Sequence, residues 1–547
     1  MHRLGLVVTG VLLAGALATP AAVFAGSVSD VSDTALYDGN EYTPPPIDFG
    51  PCTADNSGGS AGTLQYYGAQ CGYVTVPLNY QKPSGKKIQL AISRVLHTSS
   101  SANYKGIMLV NPGGPGGSGQ IYSVLPQAFG VPANAAGGYD WIGWDPRGVG
   151  ESIPSLSCDP SFFQAPRPPY RPTTDTIMND WVSRSKQYAQ ACTQAPSAAL
   201  FNHVTTVDSI KDMESIRLAL GKSKINFYGF SYGTYLASVY MTLHPNRVGR
   251  FVLDSTVDPR DVWFQANRNQ DMAFQKTFDV YFTWLAKYNS VYHVGATHDA
   301  VRNEFLSLET QLNVHPAQGT LGGDELLDVF TSAAYYVYGW EDIASAYSTF
   351  VHTGNADDLI QMYEDSNPTT AGGDNGYAMY LATQCTDARW PQSQTRLNRN
   401  NWRLDETYNY FTWANAWFNG PCPYWHYQTT HPVTVTGANV NVPILMIDET
   451  FDPATPYEGS LYVRSIFPTA SLIEGKNGTT HAGSLSGVAC TDDTIANYLR
   501  TGQVPARKPG NRSDLVCPPV PQPDPTSSSA IRIPPQRYAE PFVQIVR

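Results

Sequence analysis

The sequence is poor in charge and in long apolar runs. Only 15% of the 547 residues are Asp, Glu, Lys or Arg, a composition that argues against long disordered or coiled-coil stretches. The net charge of -11 provides no basic surface for phosphate backbones, so no nucleic-acid partner is expected. Beyond the N-terminal segment, no run is apolar and long enough to cross a bilayer. The eight cysteines include no C-x-x-C pair, so no metal site is predicted.

The N-terminal segment indicates export. Arg3 precedes an apolar run from Leu4 to Leu17, and small residues end at Ala25, which is the pattern of a cleaved secretory signal peptide over residues 1–25. An uncleaved anchor is the alternative, although the apolar run is short for a bilayer span. We expect a secreted, extracellular protein that is free of the membrane after cleavage. The sequence does not determine its oligomeric state.

The even number of cysteines suits an oxidising compartment. Spacing alone leaves many pairings open, but the order along the chain suggests local bridges: Cys52 with Cys71, Cys158 with Cys192, Cys385 with Cys422, and Cys490 with Cys517. Asn477 and Asn511 begin N-x-S/T sequons, which are glycosylated only in a eukaryotic secretory route.

Strand and helix patterns alternate through much of the chain. Residues 26–256 contain a hairpin pattern ("YVTVPLNY" and "IQLAISRVL"), then buried strands that alternate with amphipathic helices. This order predicts an α/β fold in which helices cover both faces of a mostly parallel sheet. Residues 257–436 lose the alternation and are rich in Trp and Tyr, which predicts an inserted, largely helical cap. Residues 437–505 restore the sheet, and residues 506–547 form a proline-rich tail expected to lie extended on the surface.

The stretch "NFYGFSYGTYLA" is the strongest chemical signal. It places Ser231 between Gly229 and Gly233, where a predicted strand gives way to a predicted helix. A turn this tight forces unusual backbone angles on the serine and requires small neighbours, which is the arrangement of a nucleophile elbow. A second copy of the pattern, "GGSAG", lies in a polar loop and lacks these flanking elements. We therefore predict that Ser231 is a nucleophile.

A serine nucleophile needs a base, and the base needs an orienting acid. Only His481 follows the last predicted strand, in the small-residue loop "GKNGTTHAGS". For the acid, "MIDETFDPATP" offers Asp448, Glu449 and Asp452. We choose Asp452 because it lies past the turn, whereas Asp448 ends the strand.

A site for the reacting oxyanion is also predicted. The loop "NPGGPGGSG" presents backbone N–H groups without side chains, so a substrate carbonyl can approach closely. We assign the donors to Gly114 and to Tyr232, the residue after the predicted nucleophile. A purely structural glycine loop is the alternative.

Several motifs together resemble one known family. "NPGGPGGSG", "WDPRGVGES", "GFSYGTYLA", "VLDSTVDP", "DPATP" and the region from His481 to Cys517 are similar to the secreted tripeptidyl-aminopeptidase-like members of the prolyl-aminopeptidase branch of the α/β hydrolases. The resemblance implies an α/β-hydrolase fold with a helical cap, and a triad of Ser231, Asp452 and His481. It also implies a bridge between Cys490 and Cys517. One departure is Thr480, where family members usually carry glycine before the histidine.

The predicted reaction is acyl transfer to water without a metal or organic cofactor. The resemblance implies peptides shortened from a free N-terminus, and Asp387 in "CTDARW" is a candidate anchor for the substrate amine because Cys385 would fix its position. A solvated cap carboxylate is the alternative reading of Asp387. The cap aromatics equally fit a carboxylesterase or lactonase acting on small hydrophobic esters or a secreted metabolite. A non-catalytic binding protein on the same fold is the third hypothesis.

Overall fold

One sheet organises the chain. The computed structural model describes residues 42–426 and 432–527, so the predicted signal peptide lies outside the described residues. Within those residues the sheet has ten strands, in the spatial order β1-β2-β3-β5-β4-β6-β7-β8-β9-β10. In chain order they are β1 Gly50–Pro51, β2 Gln70–Pro77, β3 Lys87–Val95, β4 Gly106–Asn111, β5 Tyr139–Trp144, β6 Ile225–Phe230, β7 Val248–Asp254, β8 Ile444–Glu449, β9 Ala470–Gly475 and β10 Leu515–Cys517.

The predicted α/β fold is confirmed. The first strands pair antiparallel, up to the contact of β3 with β5, and every pair from β5 to β10 is parallel. The side chains of β4 alternate between two buried apolar clusters: Ile107 and Leu109 join one, and Met108 and Val110 join the other. The sheet is therefore covered on both faces, which explains why its central strands appear in the sequence as continuous apolar runs.

The helices cover the sheet and build the cap. A capping box opens the helix Thr206–Ala219, with Thr205 and Asp208 bonded to each other's backbone N–H groups. The helices are α1 Ala54–Ser57, α2 Ala61–Tyr66, α3 Leu125–Ala128, α4 Ala133–Ala136, α5 Asp175–Gln194, α6 Thr206–Ala219, α7 Tyr232–Leu243, α8 Phe264–Lys287, α9 Asn289–Tyr292, α10 His298–Leu312, α11 Gly323–Tyr335, α12 Trp340–Thr353, α13 Asp357–Ser366, α14 Asn375–Asp387, α15 Gln394–Asp405, α16 Thr412–Phe418, α17 Tyr457–Ile466 and α18 Ala489–Thr501. None of these helices of the described chain is both long and apolar enough to cross a bilayer.

The helices α8 to α16 lie between β7 and β8, and the described part of this segment adds no strand to the sheet. A buried ion-pair cluster ties it to the segment that follows β5. The guanidinium of Arg167 donates to Glu325 at 2.8 Å and to Asp328 at 2.9 Å, both on α11. Because the arginine is buried, this pairing fixes α11 against the core.

The C-terminal segment agrees with the prediction only in part. Residues 506–512 are exposed, but residues 515–517 form β10, an edge strand that pairs parallel with β9. Asp514 is buried and accepts two bonds from Arg464, and Val520 is part of the apolar core. These partners are distant in sequence, so the proline-rich composition gave no sign of them.

Candidate active site

Ser231 lies on a strained turn between β6 and α7. Its φ of 53° and ψ of -125° are unusual for a residue with a side chain. A Cβ at Gly233 would lie 2.7 Å from the carbonyl oxygen of Asn111, and one at Gly229 would lie 2.7 Å from the carbonyl oxygen of Gly233. Glycine is therefore required on both sides of the serine. The turn leaves Ser231 partly exposed at the N-terminus of a helix.

Asp452 and His481 form a buried pair. Nδ1 of His481 lies 2.9 Å and 2.8 Å from the two carboxylate oxygens of Asp452. The carboxylate is held in turn by the N–H groups of Ala454 and Thr455, each at 2.9 Å. The hydroxyl of Thr455 donates to Asp452 and lies 3.3 Å from the same imidazole nitrogen. This arrangement fixes the ring and keeps the Nδ1 proton on the side of the acid.

The other nitrogen, Nε2 of His481, is buried and forms no hydrogen bond with any described residue, Ser231 included. In enzymes without substrate the nucleophile–base contact is often long, and it tightens only in the complex. The two loops nevertheless meet at the end of β7. Ser231 N–H donates to the carbonyl of Asp254 at 3.0 Å, and Ala482 N–H donates to the hydroxyl of Ser255 at 2.8 Å.

The other two acids of "MIDETFDPATP" have other partners. Asp448 accepts a hydrogen bond from the hydroxyl of Ser460 on α17. Burial raises the pKa of Asp448 well above its usual value, and the charge of Asp452 adds to the effect. Glu449 accepts from two backbone N–H groups of other segments. Of the three acids, the structure therefore joins only Asp452 to His481.

Gly114 and Tyr232, the predicted oxyanion donors, line the same cavity as Ser231. Tyr232 is the first residue of α7, so its N–H has no intrahelical acceptor. The glycine loop approaches the serine closely: a Cβ at Gly113 would lie 2.8 Å from Cβ of Ser231. The loop is therefore in place to present amides beside the serine.

The α/β hydrolase fold family matches residues 106–478. The chain belongs to the α/β hydrolase family. The tripeptidyl aminopeptidase of Streptomyces lividans is 38% identical over 463 residues, which cover 83% of this chain and 85% of the relative. Serine protease Hip1 of Mycobacterium tuberculosis is 27% identical and covers 90% of this chain and 96% of the relative. Carboxylesterase B of the same species is 27% identical over 81% of this chain and 86% of the relative. This α/β hydrolase is a serine hydrolase.

The cavity of the hydrolase has a volume of about 520 Å³ and lies between the nucleophile turn and the cap. Several aromatic residues line it, among them Phe163, Tyr170, Trp263, Tyr335, Phe411 and Phe418. Four carboxylates, Asp258, Asp261, Asp328 and Glu458, face one cationic side chain, Arg260. Arg260 is already bonded to Asp258, so the lining is acidic.

Asp387, the predicted amine anchor, is not among the residues that line this cavity. Its carboxylate accepts from the N–H and the hydroxyl of Thr206, at the start of α6, and from the indole N–H of Trp263. Burial raises its pKa to about 6. The structure thus places Asp387 at the N-terminus of a core helix, which explains its burial without a substrate.

The eight cysteines of the hydrolase form the four bridges suggested by their order: Cys52–Cys71, Cys158–Cys192, Cys385–Cys422 and Cys490–Cys517. The described residues include no free cysteine. Both sequon asparagines, Asn477 and Asn511, are exposed.

Sequence reasoning missed Thr455 and the pair Asp254–Ser255. Thr455 was detectable in principle, because an Asp followed by small residues and a Thr favours a turn closed on the carboxylate. Asp254 and Ser255 gave no such signal, since their partners are 23 or more residues away in sequence.

Proposed function

We propose that this serine hydrolase releases short peptides, up to three residues long, from free N-termini, with Ser231 as nucleophile, His481 as base and Asp452 as orienting acid. The proposal is supported by the buried Asp452–His481 pair and by the strained Ser231, which lines an acidic cavity. The similarity to the tripeptidyl aminopeptidase supports the choice of substrate.

The proposed mechanism forms and hydrolyses an acyl-enzyme. Ser231 Oγ attacks the scissile carbonyl while Nε2 of His481 takes its proton, and Asp452 stabilises the resulting imidazolium. The N–H groups of Gly114 and Tyr232 receive the oxyanion. The leaving amine takes the proton from His481, and water then repeats the sequence to release the peptide.

The acidic lining supports a substrate with a free amine. Three extended residues span about 10 Å, so a carboxylate at that depth would bind the terminal ammonium and set the cleavage register. Asp258 and Asp328 are paired with arginines. Asp261 accepts only a neutral amide bond, from Asn269, and the exposed Glu458 has no side-chain partner among the described residues. We assign the binding of the substrate's terminal ammonium to Asp261 and Glu458.

Hydrolysis of small hydrophobic esters is the second candidate function. The aromatic walls of the cavity favour it, and a relative carries the name carboxylesterase. The four disulfides suit an oxidising compartment and therefore support export of the protein. Export is compatible with either function.

The deciding experiment compares three substrates on the purified protein: a tripeptide anilide, the same compound with an acetylated N-terminus, and a short acyl ester. We expect turnover of the free tripeptide anilide, a loss of at least about 100-fold on acetylation, since the ammonium bond is lost, and no turnover by Ser231→Ala. Turnover of the ester with no cleavage of either anilide would replace the peptidase by an esterase. Turnover retained in Ser231→Ala would remove the proposed nucleophile.

A further inference from the structure

The side chain of Glu449 joins the loop that carries His481 to the C-terminal segment. Glu449 is the last residue of β8, and its side chain is buried. One carboxylate oxygen accepts from the N–H of Thr480 at 2.6 Å, and the other accepts from the N–H of Val520, also at 2.6 Å. The residue bonded to the first oxygen is therefore the immediate neighbour of His481.

The loop is built around this carboxyl group. A Cβ at Gly478 would lie 2.2 Å from Cδ of Glu449, and one at Gly475 would lie 2.9 Å from its Cγ. Gly483, on the other side of the histidine, is also in contact, with a Cβ distance of 3.3 Å to Cγ. Glycines therefore let the chain on both sides of His481 wrap the side chain of Glu449.

Val520 gives the carboxyl group a fixed support. It follows β10, which pairs with β9, and Cys517 in that strand is bridged to Cys490 of α18. Lys476 N–H, in the same loop as the histidine, donates to the carbonyl of Cys517. The C-terminal segment is thus anchored to the core independently of Glu449.

The cap holds the same loop from the opposite side. His481 N–H donates to the carbonyl of Tyr335 at 3.0 Å, and the hydroxyl of Thr480 accepts from Val337 N–H at 3.2 Å. The hydroxyl of Thr480 thus has a partner in the cap, at a position where the family that the sequence resembles usually has glycine.

We propose that Glu449 is a positioning residue, which holds His481 in register with Ser231 by tying the histidine loop to the C-terminal strand. It does not line the cavity and bonds to neither Ser231 nor His481, so it acts through the loop backbone. The inference rests on the proposed role of His481 as base.

The ionisation of Glu449 provides a specific readout. Burial raises its pKa to about 8, the two N–H bonds lower it, and the charges of Asp452 and Asp254 raise it. The other titratable groups of this loop are His481, which is bonded to Asp452, and Lys476, which is exposed. Below pH 8 one oxygen carries a proton and is a poorer acceptor, so we expect kcat/KM of the wild-type protein to rise as the pH passes through about 8.

The test measures kcat, KM and the rate of fluorophosphonate labelling for Glu449→Gln. The amide retains one good acceptor and faces the other N–H with a donor. At about pH 9, where Glu449 is ionised in the wild type, we expect kcat and the labelling rate of the variant to be about tenfold lower, since a small misplacement of a catalytic group has effects of this size. KM should stay within about twofold of wild type, and the rise of kcat/KM near pH 8 should disappear.

A second variant, Val520→Pro, removes the N–H donor and leaves Glu449 intact, whereas Val520→Ala keeps the donor and tests the loss of packing. Glu474→Gln on β9 is the matched control, because its carboxylate accepts from the hydroxyls of Ser513, Tyr457 and Thr450 and from no backbone N–H of the histidine loop. Wild-type kcat in both Glu449→Gln and Val520→Pro, or a pH profile unchanged in Glu449→Gln, would overturn the inference. If the wild-type protein is not labelled at all, or is labelled equally in Ser231→Ala, the proposed function fails instead.

Discussion

At the scale of single residues, Asp448 and Asp452 lie close together in sequence and have different surroundings. Asp452 is bonded to an imidazole and to two backbone N–H groups. Asp448 accepts from one hydroxyl, and its second oxygen has no hydrogen-bond partner among the described residues. Burial raises the pKa of Asp448 well above the usual value, and the charge of Asp452 adds to the effect.

This contrast predicts different effects of the same substitution. Asp452→Asn should lower kcat by about 10⁴-fold, because an amide favours the wrong tautomer of His481. Asp448→Asn should change kcat little, because Asp448 is not bonded to His481 and an amide oxygen can still accept from Ser460. Steady-state kinetics on the tripeptide anilide measure both variants. A larger loss in Asp448→Asn than in Asp452→Asn would reverse the assignment of the acid.

At the scale of elements, the two copies of G-x-S-x-G illustrate how context decides the use of a motif. In the first copy Gly62 lies in the short helix α2, and a Cβ there would have nothing within 4 Å. In the second copy Gly233 lies in the first turn of α7, and a Cβ would meet the backbone of Asn111 at 2.7 Å. Only in the second copy does the serine have a positive φ.

The matched pair Gly233→Ala and Gly62→Ala tests this difference. We expect Gly233→Ala to lower the free energy of unfolding by about 1–3 kcal/mol through overpacking and to lose most of the activity. Gly62→Ala should leave activity unchanged and stabilise α2 slightly, because alanine is the better helix former. Denaturant unfolding together with anilide turnover provides both readouts. Equal effects in the two variants would mean that the turn is not constrained as described.

At the scale of the whole molecule, buried acids govern the response to pH. Burial raises the pKa of Asp271 and of Glu449 to about 8, and that of Asp254 and of Asp387 to about 6. In the unfolded chain these groups release their protons near pH 4, so between these values the folded state binds more protons than the unfolded state. The stability that these acids contribute is fully present below about pH 4 and is lost as the pH rises through their pKa values in the folded state.

We therefore expect the free energy of unfolding to fall as the pH rises from about 5 to about 8. Denaturant unfolding at several pH values, with the disulfides intact, measures the slope. Asp271→Asn should flatten it, because the neutral amide replaces a neutral acid and keeps an acceptor for Asn415. Asp358→Asn, which replaces an exposed acid of α13, should leave the slope unchanged. A slope of the opposite sign would mean that these acids are ionised in the folded protein.

The sequence by itself determined the features that local rules control. The nucleophile turn and the strand and helix that flank it follow from spacing, glycine placement and apolar period, all within a few residues. The parallel sheet followed from the alternation of buried strands and helices. Fold class and the candidate serine were therefore predictable.

Only the tertiary structure decided which distant groups meet. It joined Asp452, rather than Asp448 or Glu449, to His481. It placed Asp387 at the N-terminus of a core helix instead of in the cavity. It also formed a strand from residues 515–517 of the proline-rich tail, and Cys517 in that strand accepts from Lys476 N–H of the histidine loop. The physical reason is that a side chain's hydrogen bonds and burial depend on partners tens or hundreds of residues away, and no local pattern encodes their positions.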